Sequence, residues 1–365
     1  MQLEFFPSRT LTLYLIRQFA TRIFGILIML VLVLQMLDLL SESGDILAHP
    51  GNGEAQLWTY VSLRTPQLIA RFLPYSVLLA TILTLATLNQ NSEVIAMKAA
   101  GLSAHQVLAP LLIAAIGISV LSFGFNERVV TRANATLKAW QANQWGTIPK
   151  DTGVRFNAYF KDGTNILMAK KITGSGAAMR MSDVTWYERD PEMAITGVVR
   201  AASATPVQGG WQLDHPVRFD VAGTTTAILP ALTVAPSVTP REVELSRIDP
   251  EGQNFSELAK TINSLDASGR NTDELRGKWW HRFSGPLAAM LMPLLGAISA
   301  FGLARSGALL IRSVIGMALG FAYFVIDNAA LAIGNFGGYP PLVAAWAPFL
   351  LFACIGEAVL IRTEE

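Results

Sequence analysis

The first long apolar stretch of the chain covers residues 22–40 and reads RIFGILIMLVLVLQMLDLL. A helix needs roughly 20 mostly apolar residues to cross the hydrocarbon core of a bilayer, and this stretch is of that length. Further runs of the same kind occupy residues 72–88, 107–125, 283–303, 313–333 and 342–361. The sequence therefore predicts six transmembrane helices, three before a long polar middle segment and three after it.

The composition also indicates a membrane protein. Of the 365 residues, 52% are hydrophobic and 15% are charged, whereas about 25% of the residues of soluble proteins are charged. The net charge of +1 gives no reason to expect nucleic-acid binding, which needs a concentrated basic surplus. Cys354 is the single cysteine, so an internal disulfide is excluded.

The middle segment has the pattern of a β domain. Short runs rich in β-branched and aromatic residues occur at 155–160, 165–169, 184–188, 197–201 and 217–221. Turn-forming pairs separate them, namely Asp162-Gly163, Asp190-Pro191, Gly209-Gly210 and His215-Pro216. This pattern predicts an antiparallel sandwich or jelly roll.

A connecting helix is expected to lead from the β domain back to the membrane. Apolar residues recur there at helical spacing, at Phe255, Leu258, Ala259, Ile262 and Leu265, and Gly269 is placed to end the helix. Trp279 and Trp280 are then typical of the interfacial belt at the start of the fourth span.

Lysine and arginine are concentrated on one side of the predicted topology. The N-terminal segment, the second and fourth connections and the C-terminal tail carry Arg9, Arg17, Arg22, Lys98, Arg305, Arg312 and Arg362. Under the positive-inside rule both termini are cytoplasmic and the β domain is extracytoplasmic. We expect a multi-pass protein of a bacterial inner membrane with a periplasmic β domain.

No local motif for catalysis is present in the sequence. It contains no phosphate-cradling G-x-x-x-x-G-K-[ST], no H-E-x-x-H, no G-x-S-x-G and no closely spaced Cys/His pairs. We therefore predict no catalytic residues, no metal site and no cofactor, and we expect that the chain is not an enzyme.

The connection between the second and third spans reads NSEVIAMKAAGLS at residues 91–103. Ser92 or Asn91 can cap a short helix, Glu93 suits the positive end of its dipole, and Gly101 can end it. Two interpretations remain open. The segment is either a polar turn with a capping carboxylate or a coupling helix that fits a groove in a soluble ATPase.

The residues of this connection resemble the cytoplasmic loop of the LptF/LptG permeases, which export lipopolysaccharide. The resemblance rests on Ser92-Glu93, the apolar stretch that follows and the run Ala100-Gly101-Leu102-Ser103. Residues 301–306 (FGLARS), residues 324–328 (FVIDN) and residues 338–341 (GYPP) extend it, and the last two look more like LptG than LptF. The order of spans and β domain matches over nearly the whole chain.

The resemblance implies a fold, a function and partners. The fold would be an α-helical membrane protein of six transmembrane helices, split 3+3, with an inserted periplasmic β-jelly-roll domain. Its parts would be residues 1–125 with a coupling helix near 91–101, residues 126–268 with the β domain and connecting helix, and residues 269–365. The chain would be the permease subunit of an ABC transporter, paired with an LptF-like permease, two LptB-like ATPase subunits and LptC/LptA-like periplasmic β proteins. ATP hydrolysis would reside in the ATPase chain.

Under this resemblance the coupling residues are Ser92, Glu93, Met97 and Gly101, with Glu93 as the carboxylate that contacts the ATPase. The family places basic residues near the outer end of the first span, where this sequence has Gln35 and, close by, Asp38. A lipid with a different headgroup or cations from the partner subunit would explain that departure.

Other candidate lipid-binding or gate residues have two open interpretations each. Arg132 and Lys138 contact the lipid headgroup or form an ordinary solvated face. Phe321 and Tyr323 line a lateral gate or simply pack. Asp327 is costly within a membrane, and is either a satisfied structural group or a gate element.

A second function class is a non-transporting membrane scaffold or sensor whose β domain binds an envelope ligand. An exporter half requires ATPase and permease partners and a cavity for acyl chains, whereas a scaffold requires neither.

Overall fold

A computed structural model describes residues 7–148, 155–174, 176–221, 223–245, 250–267, 271–297 and 308–362. The chain forms two compact units. The helical unit comprises Met1–Ser41, Tyr60–Ala133 and Pro250–Glu365, and the β-sheet unit comprises Glu42–Thr59 and Asn134–Asp249. Gly269 and the 301–306 motif, both used in the predictions above, lie outside the described residues.

The helices in chain order are α1 Arg9–Ala48, α2 Glu54–Gln90, α3 Glu93–Ala99, α4 Ala104–Phe125, α5 Thr131–Ala142, α6 Pro240–Leu245, α7 Phe255–Asp266, α8 Asp273–Gly296, α9 Ala308–Asn335 and α10 Pro341–Arg362. A π-helical turn, Asn126–Val130, joins α4 to α5 without a break, and a 3-10 turn covers Gly176–Ala178. The connecting helix predicted from the spacing at 255–265 is α7.

Five helical segments among the described residues are long and apolar enough to cross a membrane. They are Arg9–Ala48, Glu54–Gln90, Ala104–Ala142, Ser313–Asn335 and Pro341–Arg362. These segments contain five of the six predicted spans. The sixth, residues 283–303, begins within α8, whose first turns are polar, and residues 298–303 lie outside the described part.

Two patterns build the core of the helical unit. On α1 the buried residues recur every four positions, at Leu15, Phe19, Ile23, Leu27 and Val31, as expected of one helix face. Glycines elsewhere allow close approach between helices. A Cβ at Gly320 of α9 would lie 2.2 Å from Leu78 Cδ2 of α2, and one at Gly356 of α10 would lie 2.7 Å from Leu294 Cγ of α8. Small residues at such crossings are typical of membrane helix packing.

The β-sheet unit contains one antiparallel sheet. Its strands are β1 Arg155–Asp162, β2 Asn165–Thr173, β3 Arg180–Arg189, β4 Ile195–Val207, β5 Gly210–Asp214, β6 Val217–Asp220, β7 Thr225–Ile228 and β8 Leu232–Val234. The order is β1-β2-β3-β4-β5-β8, while β6 pairs with both β4 and β7. The 13-residue β4 pairs with β3 along one edge and with two strands along the other, where Ser203–Val207 pairs with β5 and Gly197–Arg200 pairs with β6.

The β-branched runs and turn pairs of the sequence predicted the positions of the strands correctly. Each predicted run overlaps a strand, and each of the four predicted turn pairs lies at the junction of two consecutive strands, with Asp162 and Gly210 as strand ends. One face forms a core that includes Leu167, Val184, Val199 and Trp211, each at most 1% exposed. The neighbouring strands β1 to β4 follow one another as a meander.

Candidate functional site

The short helix α3 lies between the membrane-length helices α2 and α4. Ser92 precedes it with φ 58°, in the left-handed region, and its side chain makes no capping hydrogen bond. The predicted cap at Ser92 is therefore wrong, because a left-handed residue does not have the extended backbone of an N-cap. Gly101 ends the helix as predicted, with φ +88°, and its N–H donates to Lys98 O at 3.0 Å.

The two faces of α3 differ in burial. Val94 and Met97 are 4% and 8% exposed and belong to the core of the helical unit. Ile95 is 52% exposed, and Lys98 is also exposed. Met97 thus anchors the helix to the core, while Ile95, which the sequence interpretation overlooked, is a large apolar side chain on its exposed face. Its position, one residue after Val94 and two before Met97, is the signal that places it on the opposite face.

Glu93 is the first residue of α3 and is held by two side chains. The Tyr14 hydroxyl donates to Oε2 at 3.2 Å, and the Asn91 amide donates to Oε1 at 3.2 Å. Tyr14 belongs to α1, so the carboxylate links α3 to the first long helix. Its place in the first turn also agrees with the predicted interaction with the helix dipole.

Gln35 extends the buried face of α1 by one more four-residue step and is 7% exposed. Its Oε1 accepts a hydrogen bond of 3.3 Å from the Thr65 hydroxyl of α2, and its Nε2 has no partner within the described residues. Nearby, Asp38 is paired bidentately with Arg64, through bonds of 2.9 Å from Nε and from Nη2. The Tyr60 hydroxyl also donates to Asp38. The charge of the Asp38 carboxylate is therefore compensated by Arg64.

Arg132 and Lys138 both lie on α5, six residues apart. Arg132 is exposed and Lys138 is half-buried. Six residues correspond to a rotation of about 120° between the two side chains around the helix axis. The pair thus spans a broad sector of α5.

The predicted gate residues of α9 lie on different faces. Phe321 is 61% exposed, whereas Tyr323 is fully buried among the core aromatics, with its ring centroid 5.5 Å from that of Phe352. Two residues along a helix point about 200° apart, which accounts for the separation. Beside Tyr323, the Phe324 ring stacks on Tyr75 of α2 at 3.9 Å.

Asp327 follows Tyr323 by one helical turn and is 5% exposed. His281 Nε2 of α8 lies 2.9 Å from its Oδ2. Asp327 Oδ1 and the Tyr323 hydroxyl are both buried and have no hydrogen-bond partner in the described part of the chain. The amide of Asn328 donates instead to Phe324 O at 2.7 Å. In the described part of the chain, the partner of the Asp327 carboxylate is therefore His281, which the sequence did not indicate, and the second oxygen, Oδ1, has no partner there.

A second carboxylate, the largely buried Glu127, was not anticipated from the sequence. It lies in the π-helical turn and accepts bonds from Arg282 of α8 and, at 2.6 Å, from the backbone N–H of Phe255. Arg282 also donates to the carbonyls of Pro250, at 2.6 Å, and Gln253. The local signal was a charged residue at the end of an apolar run, and this signal does not identify a partner.

The side chains of these clusters connect helices to one another. Among residues 7–148, 155–174, 176–221, 223–245, 250–267, 271–297 and 308–362, no group of three His, Cys, Asp or Glu side chains is arranged to hold a metal ion. The carboxylates are held by hydroxyl, amide, guanidinium or imidazole groups, which fix helices in place.

Comparison with known proteins gives one consistent result. Residues 13–362 match the family described as lipopolysaccharide export system permease LptF/LptG. The lipopolysaccharide export system permease protein LptG of Escherichia coli (strain K12) is 25% identical over 311 residues, which is 83% of this chain and 84% of the relative. The LptG protein of Haemophilus influenzae (strain ATCC 51907 / DSM 11121 / KW20 / Rd) is 23% identical over 325 residues, covering 86% and 89%. Since the family match extends over α1 to α10 and includes α3 and the sheet, this chain belongs to the LptF/LptG permease family.

Proposed function

We propose that this protein is the permease subunit of an ABC transporter that extracts lipopolysaccharide from the bacterial inner membrane and passes it to a periplasmic bridge. A separate ATPase powers the process. The observation that carries the proposal is the arrangement of α3 in a chain of this family. A helix anchored from within by Val94 and Met97 exposes Ile95 between two membrane-length helices. Such a rod can transmit a push on its outer face to both neighbours.

The proposed architecture keeps the complete 3+3 arrangement, with α8 and the residues after it as the fourth span. Residues 1–125 and 269–365 then form the membrane part, with both termini cytoplasmic. Residues 126–268 form a periplasmic domain of the jelly-roll type with its connecting helix. The apolar length of the five helical segments and the lysine and arginine distribution support this topology.

The proposed assembly is a heterodimer with an LptF-like permease above two LptB-like ATPase subunits, joined to LptC/LptA-like periplasmic proteins. In it Glu93 meets the ATPase, Ser92 and Gly101 set the two ends of the coupling helix, and Met97 fixes it to the core. The exposed Ile95 adds an apolar contact, the type of side chain that fills a partner's pocket.

The proposed lipid path uses the remaining candidates. Arg132 and Lys138 are suited to a phosphorylated or carboxylated headgroup because cations pair with such anions. Phe321 presents its ring outward at the gate, while Tyr323 and Asp327 lie behind it in the core. Gln35 contributes a buried amide at the outer part of α1.

The first test is native mass spectrometry of the detergent-solubilised protein purified through a tag. The proposal expects a complex with a second six-span chain, two copies of an ATPase and bound lipopolysaccharide. A lone chain or homodimer that persists across mild detergents and lacks the ATPase would overturn it in favour of the scaffold or sensor.

The second test addresses α3 through Ile95→Asp. The substitution introduces a charge into the proposed apolar contact. We therefore expect the affinity for the ATPase to fall about tenfold or more, because a tenfold change corresponds to about 1.4 kcal/mol of binding free energy. ATP turnover by the reconstituted complex measures the effect, and Glu93→Ala is expected to lower the same turnover. Ile228→Asp is the matched control, because Ile228 on β7 is also an exposed isoleucine, at 79% against 52% for Ile95, and lies outside α3. Equal turnover in the Ile95 and Ile228 variants would contradict the role of α3.

A further inference from the structure

The chain crosses between the helical unit and the β-sheet unit at four points, after residues 41, 59, 133 and 249. Two of these crossings frame the main part of the β-sheet unit, Asn134–Asp249. The chain that leaves for this part passes through the π-helical turn, and the chain that returns enters at Pro250. Glu127 of the outgoing segment and Arg282 of α8 form an ion pair, and each of the two side chains also binds the backbone of the returning segment.

Arg282 gathers three acceptors from two segments. Its Nη1 donates to Glu127 Oε1 on the outgoing segment, and its Nη2 donates to the carbonyls of Pro250 and Gln253 on the returning segment. The side chain is 10% exposed and that of Glu127 is 15% exposed. A planar guanidinium with fixed donor directions can serve such a set, whereas a lysine ammonium cannot span it.

Glu127 completes the connection from the other side. Its Oε2 accepts the N–H of Phe255, the first residue of α7. That N–H is one of the amides that a helix leaves unpaired at its N-terminus, and a carboxylate there is also favoured by the helix dipole. Asn254 and Glu257 form a capping box at the same end, so the start of α7 is held by three side chains.

An aromatic layer joins the same segments beside the ion pair. Phe255 of α7 stacks on Trp279 of α8 at 4.7 Å and meets Phe283 edge-on at 5.2 Å. Phe283 in turn stacks on Phe123, near the end of α4, at 5.5 Å. The aromatic contacts therefore join α4, α7 and α8, and the polar contacts join the π-helical turn after α4 to the same two helices, α7 and α8.

Glu127 also lies in an unusual piece of backbone. The π-helical turn Asn126–Val130 inserts an extra residue per turn between α4 and α5. Such turns are rare and recur at functional sites. The insertion re-aims the residues that follow, and here it coincides with the residue that meets the returning chain.

We propose that Glu127 and Arg282 are positioning residues that clamp the outgoing and returning chain of the β-sheet unit to α8, so that movement of the membrane helices reaches the β-sheet unit. This inference rests on the proposed function. The clamp does not touch the lipid or the ATPase in this scheme. Its loss leaves ATP hydrolysis running and reduces the lipid delivered for each ATP consumed.

The test uses the complete complex in phospholipid vesicles that contain lipopolysaccharide. ATP hydrolysis and lipid transfer to the soluble periplasmic acceptor are measured together, and their ratio is the readout. For Glu127→Gln and Arg282→Lys we expect the ratio to fall roughly tenfold to a hundredfold, the scale produced by misplaced reacting partners. The matched control is Arg276→Gln, because Arg276 lies on α8 like Arg282 and pairs with Asp266 at the exposed end of α7.

Each outcome decides between the clamp and the alternatives. A lowered ratio in both assembled variants, with the Arg276 variant at the wild-type ratio, supports the clamp. A wild-type ratio in either assembled variant overturns it, and so does failure of both variants to assemble, which marks the pair as structural only. If the wild-type complex itself transfers no lipid, the proposed function fails and the clamp fails with it.

Discussion

Two neighbouring side chains of α8 each pair with a carboxylate, one largely buried and one buried, and the two centres differ in how many of the carboxylate oxygens have a hydrogen-bond partner. Arg282 meets Glu127, and both carboxylate oxygens have partners. His281 meets Asp327, where only Oδ2 has a partner, while Oδ1 has none within the described residues. Folded proteins pair nearly all buried polar groups, so an unsatisfied group marks a place where another arrangement gains a bond. We therefore expect the Arg282 centre to stay fixed and the His281 centre to change partners during transport.

The largest effect is expected from breaking the satisfied centre. Glu127→Ala leaves Arg282 as a buried, uncompensated charge and removes the acceptor for Phe255 N–H. Loss of one partner of a buried ion pair typically costs about 3–5 kcal/mol. We expect the free energy of unfolding to fall by about that amount, measured by denaturant or steric-trapping titration in bicelles.

Asp327→Asn is the matched comparison for that variant. It replaces a carboxylate of which only one oxygen has a hydrogen-bond partner, and the new amide can still hydrogen-bond to His281. The expected change is about 1 kcal/mol or less, the net worth of an ordinary hydrogen bond. Equal losses in the Glu127 and Asp327 variants would remove the distinction between the two centres.

The features predicted correctly from sequence have local signals. Helix α3 ends at Gly101 because a left-handed residue was needed there, and the turn pairs separated the strands at the right places. The carboxylate centres have no local signal, since 46 residues separate His281 from Asp327 and 155 separate Glu127 from Arg282. Such pairings depend on which helices pack together.

One gate prediction could have been sharpened from spacing alone. Phe321 and Tyr323 differ by two positions on a helix, which places them on nearly opposite faces. The structure exposes the first and buries the second. Tyr323 and Asp327 are four positions apart and share a helix face, so spacing alone predicts that they lie together, but it gives no signal that His281 joins them.

A smaller effect is expected at the unsatisfied centre itself. Tyr323→Phe removes a buried hydroxyl that has no partner among the described residues and keeps the ring that packs against Phe352. Because burial of an unpaired polar group costs about 1–3 kcal/mol, the variant is expected to gain about 1 kcal/mol of stability. Transport activity, measured as lipid delivered per ATP, is expected to fall if the hydroxyl finds its partner in another conformation. A loss of stability would show that the hydroxyl is already satisfied.

The smallest effect is expected from the exposed pair on α7 and α8, Asp266 with Arg276, which provides the surface reference for Glu127 and Arg282. The Thr272 hydroxyl, and then Arg276, hold the pKa of Asp266 below its ordinary value. Since the folded pKa is depressed, the pair stabilises the fold at pH values above the unfolded pKa and loses that effect as the pH falls through the folded pKa. Asp266→Asn should therefore lower the melting temperature slightly at neutral pH, and the difference from wild type should disappear as the pH falls through the depressed pKa of the folded protein. Exposed pairs of this kind are weak because water screens them. A difference that persists at low pH would mean that the side chain acts through packing, and the contrast with the buried pair would then not be one of charge.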